Sequence, residues 1–204
     1  MHQFHYRQGV LHCEDVNLNA LAAEHGTPLY VYSARTVREN YQRLDEAIAD
    51  LDHHIAYAVK ANSNPSVLRL LAELGSGFDI VSGGELFRVI TAGGNPGLCS
   101  FAGVGKTAEE ITYALEQEIY CFNIESLAEL EFINSVAGDI STTAPVALRI
   151  NPNVDAGTHK YISTGKAENK FGIDHEAVRE VYERAAKLPH IRIRGIQMHI
   201  GSQL

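Results

Sequence analysis

No run of lysine and arginine occurs anywhere in the 204 residues, and acidic side chains outnumber basic ones by 25 to 17, for a formal net charge of −8. Such a chain offers no electrostatic footprint for nucleic acid or an anionic membrane surface. No apolar stretch approaches the ~20 residues that a membrane-spanning helix needs. The polar start MHQFHYRQ lacks the apolar centre of a secretory leader. Cysteine is scarce: Cys13, Cys99 and Cys121 are odd in number and widely spaced. They form neither a disulfide framework nor a metal pattern, and they suit a reduced, cytoplasmic setting. What is present is 45% hydrophobic content, enough for a core at this length, with one domain as the default expectation.

Short β-rich runs alternate with helical stretches at a steady interval. Strands are predicted at 54–59, 78–81, 100–102, 120–124, 146–150 and 193–200. Between them Ser82 with Glu85, Thr107 with Glu110, and Ser126 with Glu129 each spell S/T-x-x-E, the box that satisfies orphan amides at a helix N-terminus. Strand, short loop and capped helix in repetition imply a parallel sheet with right-handed crossovers. An open doubly wound sheet and a (β/α)8 barrel both satisfy this. The even spacing, without a second-domain break, favours a TIM-type α/β barrel of which about six units are present, over residues 33–204. A full barrel needs eight strands and about 250 residues. Two unpaired edges on a parallel sheet are unusual, so the expectation is the N-terminal part of a longer protein. Residues 1–32 differ in kind, with a strand or hairpin, a short helix near 18–25 and a strand at 29–32. This segment has no evident barrel partner and is expected to join a C-terminal β domain.

Polar residues gather where the predicted strands end. Lys60 follows the apolar run Ala56-Tyr57-Ala58-Val59. A lysine at the mouth of a buried strand can form a Schiff base, because burial disfavours the ammonium and frees the amine as a nucleophile. Asp79 lies within the second strand, Arg149 closes the fifth and His199 ends the sixth, with Gly201-Ser202 beside it. Each also has a plain structural role available: Asp79 as a cap, Glu85 as the capping-box carboxylate, Arg149 as a salt-bridged strand end, His199 as a core histidine. Residues 100–107, SFAGVGKT, approach a phosphate-binding loop, but G-x-x-x-x-G-K-[ST] needs glycine where Ser100 stands. A tight loop with Thr107 capping a helix is the reading. The loop 151–171 lacks secondary-structure signals and follows the fifth strand at the face where barrel active sites lie.

The stretch YAVKANSNPSVLRLLAELGSGFDIVSGGEL closely resembles the cofactor-lysine region of fold-type III pyridoxal-phosphate decarboxylases. FAGVGKT, CFNIES, LRINPNVDAGTHKYISTGKAENKFGI and GIQMHIGSQL resemble the diaminopimelate decarboxylase branch, so that the resemblance covers nearly the whole chain. It implies that Lys60 holds pyridoxal 5'-phosphate as an imine, that His199 stacks on the pyridine ring and that Ser202 helps bind the phosphate. Asp79 and Arg149 match positions lining the cofactor pocket. The implied reaction is decarboxylation of meso-diaminopimelate to L-lysine and CO2 in a homodimer with shared sites. The family's glycine-rich phosphate loop, its glutamate-proline-glycine-arginine and cysteine-glutamate segments and a late tyrosine have no counterpart in these 204 residues. The expectation is therefore that this piece alone is inactive and binds the cofactor weakly. A decarboxylase of another basic amino acid (ornithine or carboxynorspermidine) and a non-catalytic relative are the alternatives.

Overall fold

The structure, a computed structural model, describes residues 2–152 and 171–200. Its centre is a parallel sheet in which each strand feeds a helix that returns across one face. The strands are β4 (Ala56–Ala58), β5 (Gly77–Ile80), β6 (Cys99–Phe101), β7 (Cys121–Ile124), β8 (Ala144–Asn151) and β10 (Ile191–Met198). They pair in chain order from β4 to β10, and the short β9 (Ile173–Asp174) adds to β8 beyond the end of β7, making seven strands in all among the described residues. Helices α3 (Pro65–Glu73), α4 (Gly83–Thr91), α5 (Ala108–Glu116), α6 (Leu127–Asp139) and α7 (Val178–Ala185) cover the outer face. This is the curved arc of an incomplete α/β barrel.

Strand alternation decides what each face carries. Phe78, Ile80, Phe101, Phe122, Ile124, Val146 and Leu148 point outward and are wholly buried under the helices. The residues between them, Asp79, Ser100, Asn123 and Arg149, face inward; the register brings Ala58 opposite Asp79 and Asp79 opposite Ser100. Gly77 opens β5 for want of room, since a Cβ there would meet the Leu98 carbonyl oxygen at 2.5 Å.

All three S/T-x-x-E sites start helices, and the hydroxyls of Ser82, Thr107 and Ser126 accept the amides of Glu85, Glu110 and Glu129. Only Thr107–Glu110 closes the reciprocal box. The Glu85 and Glu129 carboxylates reach one residue further back, to the amides of Val81 and Glu125. The strand ends, which lack partners there, are thus tied to the helix that follows.

The N-terminal segment forms an antiparallel meander of β1 (Phe4–Arg7), β2 (Val10–Cys13) and β3 (Val16–Asn17), then α1 (Leu18–His25). Gln8 and Gly9 both take positive φ (49° and 78°), the two-residue hairpin geometry that fits strand twist. The strand expected at 29–32 does not form. Leu29, Tyr30 and Tyr32 are exposed and pair with no strand among the described residues, and β propensity without a partner yields no ladder. Helix α2 (Ala34–Ala47) then leads into β4. The meander is docked on it by Glu14, which accepts from the Ser33 hydroxyl at 2.7 Å and the Arg35 amide at 2.9 Å, and by Gln3, which bonds Thr36.

Candidate active site

At the C-terminal mouth of the sheet the backbone leaves strand geometry, so side chains there stand clear of the packed core. Lys60 sits in a single 3-10 turn, Val59–Ala61, directly after β4. Val59 plugs the core beneath it, while Lys60 itself is exposed. The expectation of a buried lysine is corrected here. Strand β4 is the first of the path, has a neighbour on one side only, and leaves its end open to solvent.

Asp79 lies in β5 and caps no helix; Ser82 does that. Its carboxyl is pushed up from the ordinary range by burial, against the pull of Lys60. Glu85 and Glu125 push the same way as burial, while Arg149 pulls with Lys60. His199, just past β10, is pushed down by burial and then by the positive charges of Arg149 and Lys60, with Glu125 opposing. Asp79 and His199 thus both lie within reach of the charges of Lys60, Arg149 and Glu125, at one end of the sheet. Ser202 and residues 153–170 of the long loop lie outside the described residues.

Arg149 is a salt-bridged strand end, as its position suggests. Its guanidinium meets Glu125 Oε1 at 3.1 Å, with the two side chains only 12% and 4% exposed. Glu125 was missed from sequence because it abuts Ser126-x-x-Glu129 and was absorbed into a helix start. The signal was available: a carboxylate directly after four consecutive core residues of β7 has no route to water.

Residues 103–107 make no phosphate loop. Lys106 turns inward, 1% exposed, and donates to the carbonyls of Gly103 and Asn123 while pairing with Glu129. A lysine spent on three protein oxygens has no donor left for a phosphate. The cysteines are core groups: burial pushes the Cys99 thiol up to about 12, leaving it without nucleophilic character at neutral pH. No group of metal-ligating side chains occurs among the described residues, and no helix there is long and apolar enough to cross a membrane.

Known proteins share this arrangement. The chain is 52% identical over 204 residues to the diaminopimelate decarboxylase of Haemophilus influenzae, covering 100% of this chain and 49% of that protein. It is 53% identical to the enzyme of the same name from Vibrio cholerae, again covering 100% and 49%. The crystal structure of the M. jannaschii diaminopimelate decarboxylase in complex with L-lysine superposes with a TM-score of 0.91 at 40% identity, over 99% of this chain and 48% of that one. The chain thus spans about half the length of the curated relatives it matches. Residues 34–204 match the pyridoxal-dependent decarboxylase family over its pyridoxal binding domain, and the chain belongs to that family.

Proposed function

We propose that the protein carrying this chain decarboxylates meso-diaminopimelate to L-lysine and CO2 with pyridoxal phosphate, and that Lys60, Asp79, Arg149, His199 and Ser202 form part of the site. The observation that carries the reading is Lys60, an accessible amine in a one-turn 3-10 helix whose charge reaches a half-buried carboxyl, Asp79, and an imidazole, His199, that Arg149 also reaches. That set fits the cofactor: an aldehyde needs a reachable amine, and an aromatic ring tolerates an imidazole that burial keeps neutral. When bound, pyridoxal phosphate supplies the aldehyde and a ring that takes up the electron pair left as CO2 departs.

The chain's own residues supply placement. Lys60 Nζ would be the attachment point for the aldehyde and would stand beside the substrate as a base. His199 would border the ring, and burial, which pushes its imidazole down, favours the uncharged form there. Asp79, whose carboxyl burial pushes up against the pull of Lys60, lies on the inner face beside the substrate's place. Ser202 would help bind the phosphate. The reading extends to a homodimer with shared sites, a cytoplasmic setting, and residues 1–32 as a segment joining a C-terminal β domain. What supports the setting is that all three cysteines are unpaired and buried.

The test is Lys60→Ala in the intact protein. The visible absorbance of bound cofactor disappears and lysine release from meso-diaminopimelate falls by about three orders of magnitude or more. Near-normal turnover would assign the cofactor to another amine. Preference for ornithine over diaminopimelate in the unsubstituted protein would overturn the substrate.

A further inference from the structure

Arg149 does not stand alone at the mouth of the sheet. Its partner Glu125 is among the most buried charged side chains of the molecule and belongs to none of the residues assigned above. Glu125 Oε1 meets the Arg149 guanidinium at 3.1 Å and also accepts the Gly103 amide at 3.2 Å. Its own amide donates at 2.7 Å to Glu129, whose other oxygen is held by buried Lys106. The loops that follow β6 and β7 are thereby tied to each other and to Arg149 of β8. Oε2 of Glu125 and Nε of Arg149 are buried with no hydrogen-bond partner among the described residues. A buried pair joined through one contact, with polar capacity left over, is expensive to keep for stability alone. The pair faces Asp79 and His199, both of which feel its charges.

The geometry points to Glu125 as a positioning residue that fixes the Arg149 guanidinium on the inner face of the sheet, so that Arg149 rather than solvent borders the cofactor. The proposal rests on the decarboxylase reading. It accounts for the carboxylate at the end of β7, where a neutral side chain would leave the Arg149 guanidinium without its ion-pair partner. With Glu125 in place, the guanidinium is held.

The experiment is a mutant cycle in the intact protein: Glu125→Gln, Arg149→Met and the double substitution. Pyridoxal phosphate is titrated and followed by its visible absorbance, and melting of the cofactor-free protein is recorded in parallel. Each single substitution is expected to raise the cofactor dissociation constant about tenfold, with the double no worse than either alone, because the two act as one unit. Glu125→Asp keeps the charge with a shorter reach and recovers part of the loss; it carries the test if Glu125→Gln does not fold. A purely structural role would lower the melting temperature and leave cofactor affinity unchanged well below it, and that result overturns the proposal. So does an additive double, about a hundredfold weaker. An unsubstituted protein that binds no pyridoxal phosphate would overturn the decarboxylase reading itself.

Discussion

A carboxyl that faces the inside of a half-buried sheet carries a penalty whenever it is charged, and Asp79 shows its sign. Its folded-state value is raised, chiefly by burial, so the folded protein binds a proton more readily there than the unfolded chain does. The contribution to stability is full below the ordinary carboxylate value and is lost as pH rises through the folded one. Asp79→Asn, which is neutral throughout, should therefore melt about 2–4 °C higher than the unsubstituted cofactor-free protein at pH 8. The gap should narrow as pH is lowered toward the ordinary carboxylate range, and differential scanning fluorimetry across pH reads it directly. A variant that melts lower at pH 8 would mean that attraction to Lys60 and Arg149 outweighs the burial. The position of Asp79 was legible from strand alternation, as was that of Arg149 from its place at a strand end. The exposure of Lys60 was not, because a run of apolar residues reads as buried whether its strand has one neighbour or two.

At the scale of elements, the connections explain more than the strands do. Helix starts were legible because a hydroxyl three residues before a glutamate has a specific amide to satisfy, and each of the three found it. Where the glutamate carboxylates go was not legible. Glu129 turns back to the end of β7 and at the same time holds Lys106 from the preceding loop. The near-match to a phosphate loop has its structural reason in this contact: the lysine closes a crossover from within. Lys106→Ala removes one partner of a buried pair and leaves the Glu129 carboxylate uncompensated, which should cost about 3–5 kcal/mol in urea unfolding. Lys106→Ala with Glu129→Ala should recover part of that loss, since the stranded charge goes with it. Equal stability of Lys106→Ala and the unsubstituted protein would show that the pair is solvated in solution. The one element misread, at 29–32, had the right residues for a strand and no ladder to join, which single-sequence patterning cannot see.

On the scale of the whole molecule, the arc leaves its last strand with an apolar outer face. Ile196 and Met198 of β10 are each 55% exposed, whereas their β8 partners Leu148 and Ile150 are 0% and 8% exposed. Strand β4 at the other end likewise has a free side among the described residues, and Leu29, Tyr30 and Tyr32 lie exposed before α2. That the architecture was an arc of barrel units was legible from the strand–helix interval. Which faces stay uncovered depends on neighbours that no local pattern encodes. A polypeptide of these 204 residues alone presents open parallel edges and bare apolar side chains together, the combination that templates strand pairing between chains. It should self-associate at micromolar concentration, with multi-angle light scattering giving masses above the monomer. Ile196→Lys with Met198→Lys should reduce that association while leaving the far-ultraviolet circular dichroism unchanged, because both side chains lie outside the packed core. Persistence of the same assemblies in the double variant would place the contact at β4 instead, and a monodisperse monomer of the unsubstituted 204 residues would show that the exposed face is tolerated as it stands.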